Sequence, residues 1–123
     1  MKKVIIADDS PSFLAVLKEL FEDAGYDVLA LEDGEKVLKE LAKGIHCDLL
    51  VTDIVMPAQD GIGVLLEIHN SYPRIKCIAI SGGGRVVAES YLTIAEKLGA
   101  GAVFKKPFNL DDLLKAAKEM LGE

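Results

Sequence analysis

The sequence predicts a doubly wound α/β domain of the (βα)5 kind, with a five-stranded parallel sheet in the order 2-1-3-4-5 and helices on both faces. Three observations carry this. Strand-like and helix-like patterns alternate five times along the 123 residues. No long linker, repeat or low-complexity tract separates them, so one domain over residues 1–123 is expected. Finally, four short apolar runs each stop at a residue suited to phosphate or metal chemistry. VIIA stops at Asp8-Asp9, LLVT at Asp53, CIAI at Ser81 and AVF at Lys105-Lys106-Pro107. In parallel strands those stops share one sheet edge, the edge along which open α/β sheets carry their sites.

The elements follow in order. Lys3–Ala7 is the first strand, and Asp8-Asp9-Ser10 the turn after it. Ser10 is suited to cap a helix that has Pro11 at its first position. Phe13, Leu14, Leu17, Leu20, Phe21 and Ala24 recur at helical spacing, and Gly25 closes that helix. Tyr26–Leu31 reads as the second strand. Val37, Leu38, Leu41 and Ala42 mark a weaker second helix that stops near Gly44. Leu49–Thr52, wholly apolar but for its last residue, suits a central parallel strand. A loop at Ile54–Gln59 leads to a helix capped by Asp60, which runs through Leu65, Leu66 and His69 to about Tyr72, where Pro73 blocks it. Lys76–Ile80 is the fourth strand, Gly82-Gly83-Gly84 a loop, Arg85–Leu98 the fourth helix and Ala102–Lys105 the fifth strand. Asn109 caps a last helix with Leu110, Leu113, Leu114, Ala117 and Leu121 on one face. Asp111 and Asp112 sit in its first turn, where the helix dipole favours negative charge.

Composition narrows the function. Half the residues are hydrophobic, far too many for a disordered acidic chain. A chain of this length buries roughly two-thirds of its unfolded surface. A net charge of −6 without a Lys/Arg block argues against nucleic-acid binding. No apolar stretch approaches the roughly 18 residues of a membrane span, and the run after Lys2-Lys3 is too short for a signal peptide. Cys47 and Cys77 lack CxxC spacing, so they are expected as buried free thiols in a reducing cytoplasm.

The chemistry follows from the charges. Carboxylates at Asp8, Asp9 and Asp53 on adjacent strand ends repel, so some must protonate, shift apart or bind a cation. An all-oxygen donor set suits Mg²⁺ better than zinc, which favours His or Cys. A phosphoryl group arriving there meets a metal, the Lys106 ammonium and the Ser81 hydroxyl. One carboxylate then serves as the nucleophile, giving an aspartyl-phosphate. Positioning and charge stabilisation supply most of the catalysis.

From VIIADDS through TDIVMPAQDG and AISGG to KKPF, essentially the whole chain resembles the CheY-like receiver domain of two-component response regulators, with its flavodoxin-like fold. The resemblance implies that Asp53 is the phosphoacceptor, because Pro57 and Asp60-Gly61 follow it at the expected offsets. Asp8 and Asp9 match the acidic pair, Asp9 more than Asp8 as the direct metal ligand, with the Val55 main-chain carbonyl completing the protein's set. Ser81 matches the hydroxyl that senses the phosphoryl oxygen. Lys106 matches the lysine, since it directly precedes Pro107-Phe108, and its peptide bond to Pro107 is expected to be cis. The implied partners are a histidine kinase or histidine phosphotransfer protein and a downstream protein target.

Two departures stand out. The family usually carries Tyr or Phe three residues before its lysine, and here that position is Val103. Phe104 falls on the opposite strand face, as a core residue. The stretch from Ser81 to Gly99 is also about one helical turn longer than usual. The signal is therefore expected to leave through the Ser81–Leu98 segment and strand five. At Val55 and Gly83, side chains offer no help in orienting an attacking water.

Each residue also has a plainer role open to it. Asp8-Asp9 alone make a turn and cap a helix, and Asp53 alone an Asx turn. Ser81 alone is a satisfied loop hydroxyl and Lys106 a solvated lysine. His46 and His69 read as surface or helix-face residues, and Met56 as loop packing. A receiver-like interaction scaffold with a non-signalling acidic pocket is the alternative function. A flavodoxin-like binder using Gly82–Gly84 is a third, and GGG without GxGxxG is a weak phosphate cradle. The chain ends soon after its fifth helix, so output is expected by protein contact or by handing the phosphoryl group onward.

Overall fold

Parallel pairing and the alternation of side chains across the sheet organise the molecule. A computed structural model describes residues 1–54, 61–81 and 93–123. Its strands are β1 (Lys3–Ala7), β2 (Asp27–Leu31), β3 (Leu49–Asp53), β4 (Lys76–Ser81) and β5 (Ala102–Lys105). They form one sheet in the order β2-β1-β3-β4-β5, with every neighbouring pair parallel. The helices are α1 (Pro11–Asp23), α2 (Gly34–Ala42), α3 (Gly61–Ser71), α4 (residues 93–97) and α5 (Leu110–Met120).

Successive strand residues point to opposite faces, and the core divides accordingly. Val4, Ile6, Leu49, Val51, Ile78 and Ile80 pack with Leu14, Leu17 and Phe21 of α1 and Leu113 and Ala117 of α5. On the other face Ile5, Ala7, Leu50, Cys77 and Ala79 pack with Val37 and Leu41 of α2, Val64, Leu65 and Ile68 of α3, and Ala95 of α4. Every residue of β3 is buried, as its central place between two helical layers demands. Val103 packs on the α2–α4 face and Phe104 on the α1–α5 face, so the expected division of that pair holds.

The local signals acted as expected at most ends. Ser10 Oγ accepts from Phe13 N, with Pro11 opening α1, and Asn109 caps α5. Gly25 and Gly44 take φ of +96° and +92° just past α1 and α2, a left-handed conformation that glycine adopts without a Cβ clash. Some boundaries differ. β2 begins at Asp27, because Tyr26 N donates to Phe21 O and so belongs to the close of α1. β3 and β4 each run one residue further, through Asp53 and Ser81. Their ladders continue there: Ile54 N donates to Ile80 O and Lys106 N to Ser81 O, at 2.9 and 2.8 Å. α2 opens on an Asp33 cap, whose carboxylate accepts from Lys36 N, and Ala42 faces solvent rather than the core. The proposed Asp60 cap, the glycine loop and the start of the fourth helix lie outside the described residues.

The order of strands creates the site. From β1 the chain crosses to β2 on one side; it then returns to β3 on the other. The crevice opens between β1 and β3, whose carboxyl ends carry Asp8, Asp9 and Asp53.

Candidate functional site

Asp8 is a buried carboxylate of the crevice held at both of its oxygens. It follows β1, its own N–H donates to Leu31 O, and its side chain is 1% exposed. Oδ1 accepts from Ser10 N at 2.8 Å, which ties the carboxylate to the first turn of α1. Oδ2 accepts from Lys106 Nζ at 3.1 Å. Asp53 closes β3 and is also buried; its Oδ2 accepts from the same ammonium at 3.4 Å. Thr52 Oγ1 donates to Asp53 O, which stiffens the strand end. Asp9 is exposed at the rim.

One oxygen from each of Asp8, Asp9 and Asp53 lies within 4.8 Å of the others. Two unit charges 4 Å apart repel by about 4 kcal/mol at an effective dielectric of about 20. The Lys106 ammonium, one positive charge against three negative ones, offsets part of that repulsion. Hard oxygen donors with room for water suit a small divalent cation such as Mg²⁺. Ser81 Oγ gives an independent sign that the crevice suits an acceptor oxygen. It is buried at the end of β4 and has no hydrogen-bond partner among the described residues. A buried hydroxyl without a partner costs free energy, and an incoming acceptor oxygen would remove that cost.

Lys106 reaches the crevice from the end of β5. Its N–H bonds Ser81 O, and the Lys106-Pro107 peptide is cis, as expected. The Phe13 ring lies beneath its ammonium, with Nζ 4.1 Å from the ring centroid. Phe13 shows no functional signal in the sequence, since its spacing is that of any core-facing residue of α1. Of the site residues expected from sequence, Asp8, Asp9, Asp53 and Lys106 are brought together here. Ser81 ends the strand next to β3. Val55, Pro57, Gly83 and the rest of residues 55–60 and 82–92 lie outside the described residues.

Other reactive groups have structural surroundings. Burial pushes the Cys47 and Cys77 thiols up to about 11 and about 12, so neither is a ready thiolate. Both are free and buried, as expected. His46 is exposed and pairs with Asp48, and His69 sits on the exposed side of α3.

Comparison with known proteins agrees with this geometry. The family model described as response regulator receiver domain matches residues 4–118. The transcriptional regulatory protein CpxR of Escherichia coli is 31% identical over 121 residues, 98% of this chain and 50% of CpxR. The chain thus spans about half the length of that relative. It spans nearly all of the chemotaxis protein CheY of Listeria monocytogenes, at 30% identity over 97% of this chain and 98% of CheY. Among solved structures, the response regulator TrrA of Thermotoga maritima, in complex with Mg(2+)-BeF, superposes with a TM-score of 0.83. Its identity is 30%, over 98% of this chain and 99% of TrrA. A CheY-like receiver domain from Methanospirillum hungatei gives 0.88 at 28% identity, over 99% and 94%. A family match running almost from end to end, on a fold that already gathers the acidic residues at its switch point, makes this chain a member of the response regulator receiver domain family.

Proposed function

We propose that residues 1–123 form one receiver domain in which Asp53 takes a phosphoryl group from a phosphohistidine, presented by a histidine kinase or histidine phosphotransfer protein. The observation that carries this is the Lys106 ammonium bonded to both Asp8 and Asp53 at the ends of β1 and β3. In the reaction an Asp53 carboxylate oxygen attacks phosphorus while the phosphorus–imidazole nitrogen bond breaks. The electron pair leaves with the imidazole, which takes up a proton. Lys106 and Ser81 donate hydrogen bonds to phosphoryl oxygens as charge builds on them. Asp8, Asp9 and Asp53, with the Val55 carbonyl, would hold Mg²⁺. When bound, the ion neutralises the carboxylates and draws the phosphoryl oxygens in. TrrA, whose structure is a complex with Mg(2+)-BeF, supports that choice of ion.

In this reading the domain acts only on its own phosphorylation and dephosphorylation and is not an enzyme for a separate substrate. It works in the cytoplasm, which the two reduced, buried thiols support. Among the described residues no helix is long and apolar enough to cross a membrane. The output is a protein target rather than nucleic acid, consistent with a net charge of −6. Val103 at the usual aromatic position favours a second reading, an interaction scaffold that keeps the pocket and conducts no signal.

Intact mass after incubation with Mg²⁺ and a small phosphodonor tests the first reading. A single acid-stable, base-labile adduct is expected on the wild type and none on Asp53→Asn. An adduct that survives in Asp53→Asn moves the acceptor elsewhere; a wild type that takes no phosphoryl group from any competent donor leaves the scaffold.

A further inference from the structure

We propose that Phe13 is a positioning residue for phosphoryl transfer, holding the Lys106 ammonium over its ring at the mouth of the crevice; the role rests on Asp53 being the phosphoacceptor. Lys106 Nζ has contacts on two sides. Asp8 Oδ2 and Asp53 Oδ2 lie 3.1 and 3.4 Å away, and the Phe13 centroid lies 4.1 Å away. That ring distance is well inside the range over which an aromatic face attracts a cation.

The ring is itself held. Phe13 lies in the first turn of α1, where its N–H donates to the capping Ser10 Oγ. Ser10 N in turn bonds Asp8 Oδ1, so the ring and the carboxylate share one rigid turn. Phe108 stands edge-on to Phe13, with centroids 6.0 Å apart and planes at 87°. Phe104 packs on Phe108 at 5.2 Å. The aromatic row therefore runs from the end of β5 to the start of α1, beside Lys106.

The need for such a support follows from the reaction. A cation or phosphoryl group entering the crevice competes for the carboxylate oxygens that now hold Lys106. A lysine side chain released from both carboxylates gains rotamer freedom and moves into water. The Phe13 face attracts the ammonium whichever carboxylate it leaves, so Lys106 stays within reach of an incoming phosphoryl oxygen. An aliphatic side chain at 13 fills the same space without that attraction.

The test compares Phe13→Leu, Phe13→Tyr and Phe13→Trp with wild type, each first shown to be folded by its urea transition. Two readouts are used: the rate of adduct formation on Asp53 with a small phosphodonor, and the proton shifts of the Lys106 ε-methylene. In wild type the ring should move those protons upfield. In Phe13→Leu the upfield shift should vanish and phosphorylation should slow on the order of five-fold, the equivalent of roughly 1 kcal/mol. Phe13→Tyr and Phe13→Trp, which keep an aromatic face, should rescue the rate. A folded Phe13→Leu that reacts at the wild-type rate overturns the proposal. So does equal slowing in all three variants, which would make the effect one of packing. A wild type that forms no adduct overturns the phosphoacceptor reading and this role with it. The upfield shift would then still record the contact, which separates that failure from an absent Lys106–Phe13 interaction.

Discussion

Ser81 buries a hydroxyl that bonds nothing among the described residues, and a buried hydroxyl without a partner is a cost rather than a support. Ser81→Ala should therefore raise stability by about 1 kcal/mol in urea denaturation. The same variant should lose the phosphoryl-dependent change in amide exchange while Asp53 still accepts the group. A loss of stability would mean that the hydroxyl already has a partner. Lys106 differs from Ser81 in this respect. Its two carboxylate contacts are made before any ligand arrives, so it stabilises the unmodified crevice as well. Among the described residues the site thus pairs a bonded ammonium with a hydroxyl that has no partner.

At the scale of elements, the amino-terminal edge of the sheet is tied by Asp48, just before β3. Its N–H donates to Lys3 O and its own O accepts from Lys76 N, which joins β1, β3 and β4. Its carboxylate accepts from Lys3 N at 2.9 Å and contacts His46 Nε2 at 3.0 Å. The Lys3 N–H chiefly holds the Asp48 carboxyl below its ordinary value; burial opposes this and the His46 charge assists. A carboxyl depressed in the folded state contributes stability above the unfolded value, near pH 4, and loses it as pH falls through the folded value. Asp48→Asn should be less stable than wild type by about 1 kcal/mol at pH 7. The gap should close as pH falls below about 4. A gap that stays constant to low pH would show that packing, rather than the carboxylate charge, sets the difference. The helix ends obey simpler rules, since Ser10, Asp33 and Asn109 all cap through side-chain oxygens.

At the scale of the whole molecule, three like charges gathered at one switch point should couple cation binding to folding. A ligand that binds only the folded state stabilises by mass action, by about 1.4 kcal/mol at ten times its Kd. In a domain of this size that is a rise in Tm of about 5 °C. Mg²⁺ titration followed by thermal melting should show this for wild type. Asp9→Ala should abolish it with little change in the metal-free Tm, because Asp9 is exposed and its removal leaves no cavity. Equal Mg²⁺ stabilisation in Asp9→Ala would remove Asp9 from the metal site. Asp8→Ala is the poorer probe, since it also strips a buried partner from Ser10 N and Lys106.

The sequence alone determined the alternation of elements, because apolar spacing, caps and glycines act over a few residues. Pro11 and Gly25 bracket α1 by rules that need no tertiary contact, and β1 and β5 have the bounds their patterns predict. The carboxylates of Asp8, Asp9 and Asp53 were also legible, since each stands at the end of an apolar run. Choosing Lys106 over Lys105 took the Pro107-Phe108 neighbours. Polar Asp53 and Ser81 look like strand stops in the sequence, yet pairing with their neighbours extends β3 and β4 through them. Tyr26 looked like strand and was claimed by the close of α1. Phe13 was hidden for the same kind of reason. Its spacing marks a core face, and only packing α1 beside the end of β5 puts its ring beneath the Lys106 ammonium. Contacts between residues 93 apart in the chain carry no periodic trace, so the tertiary structure alone decides them.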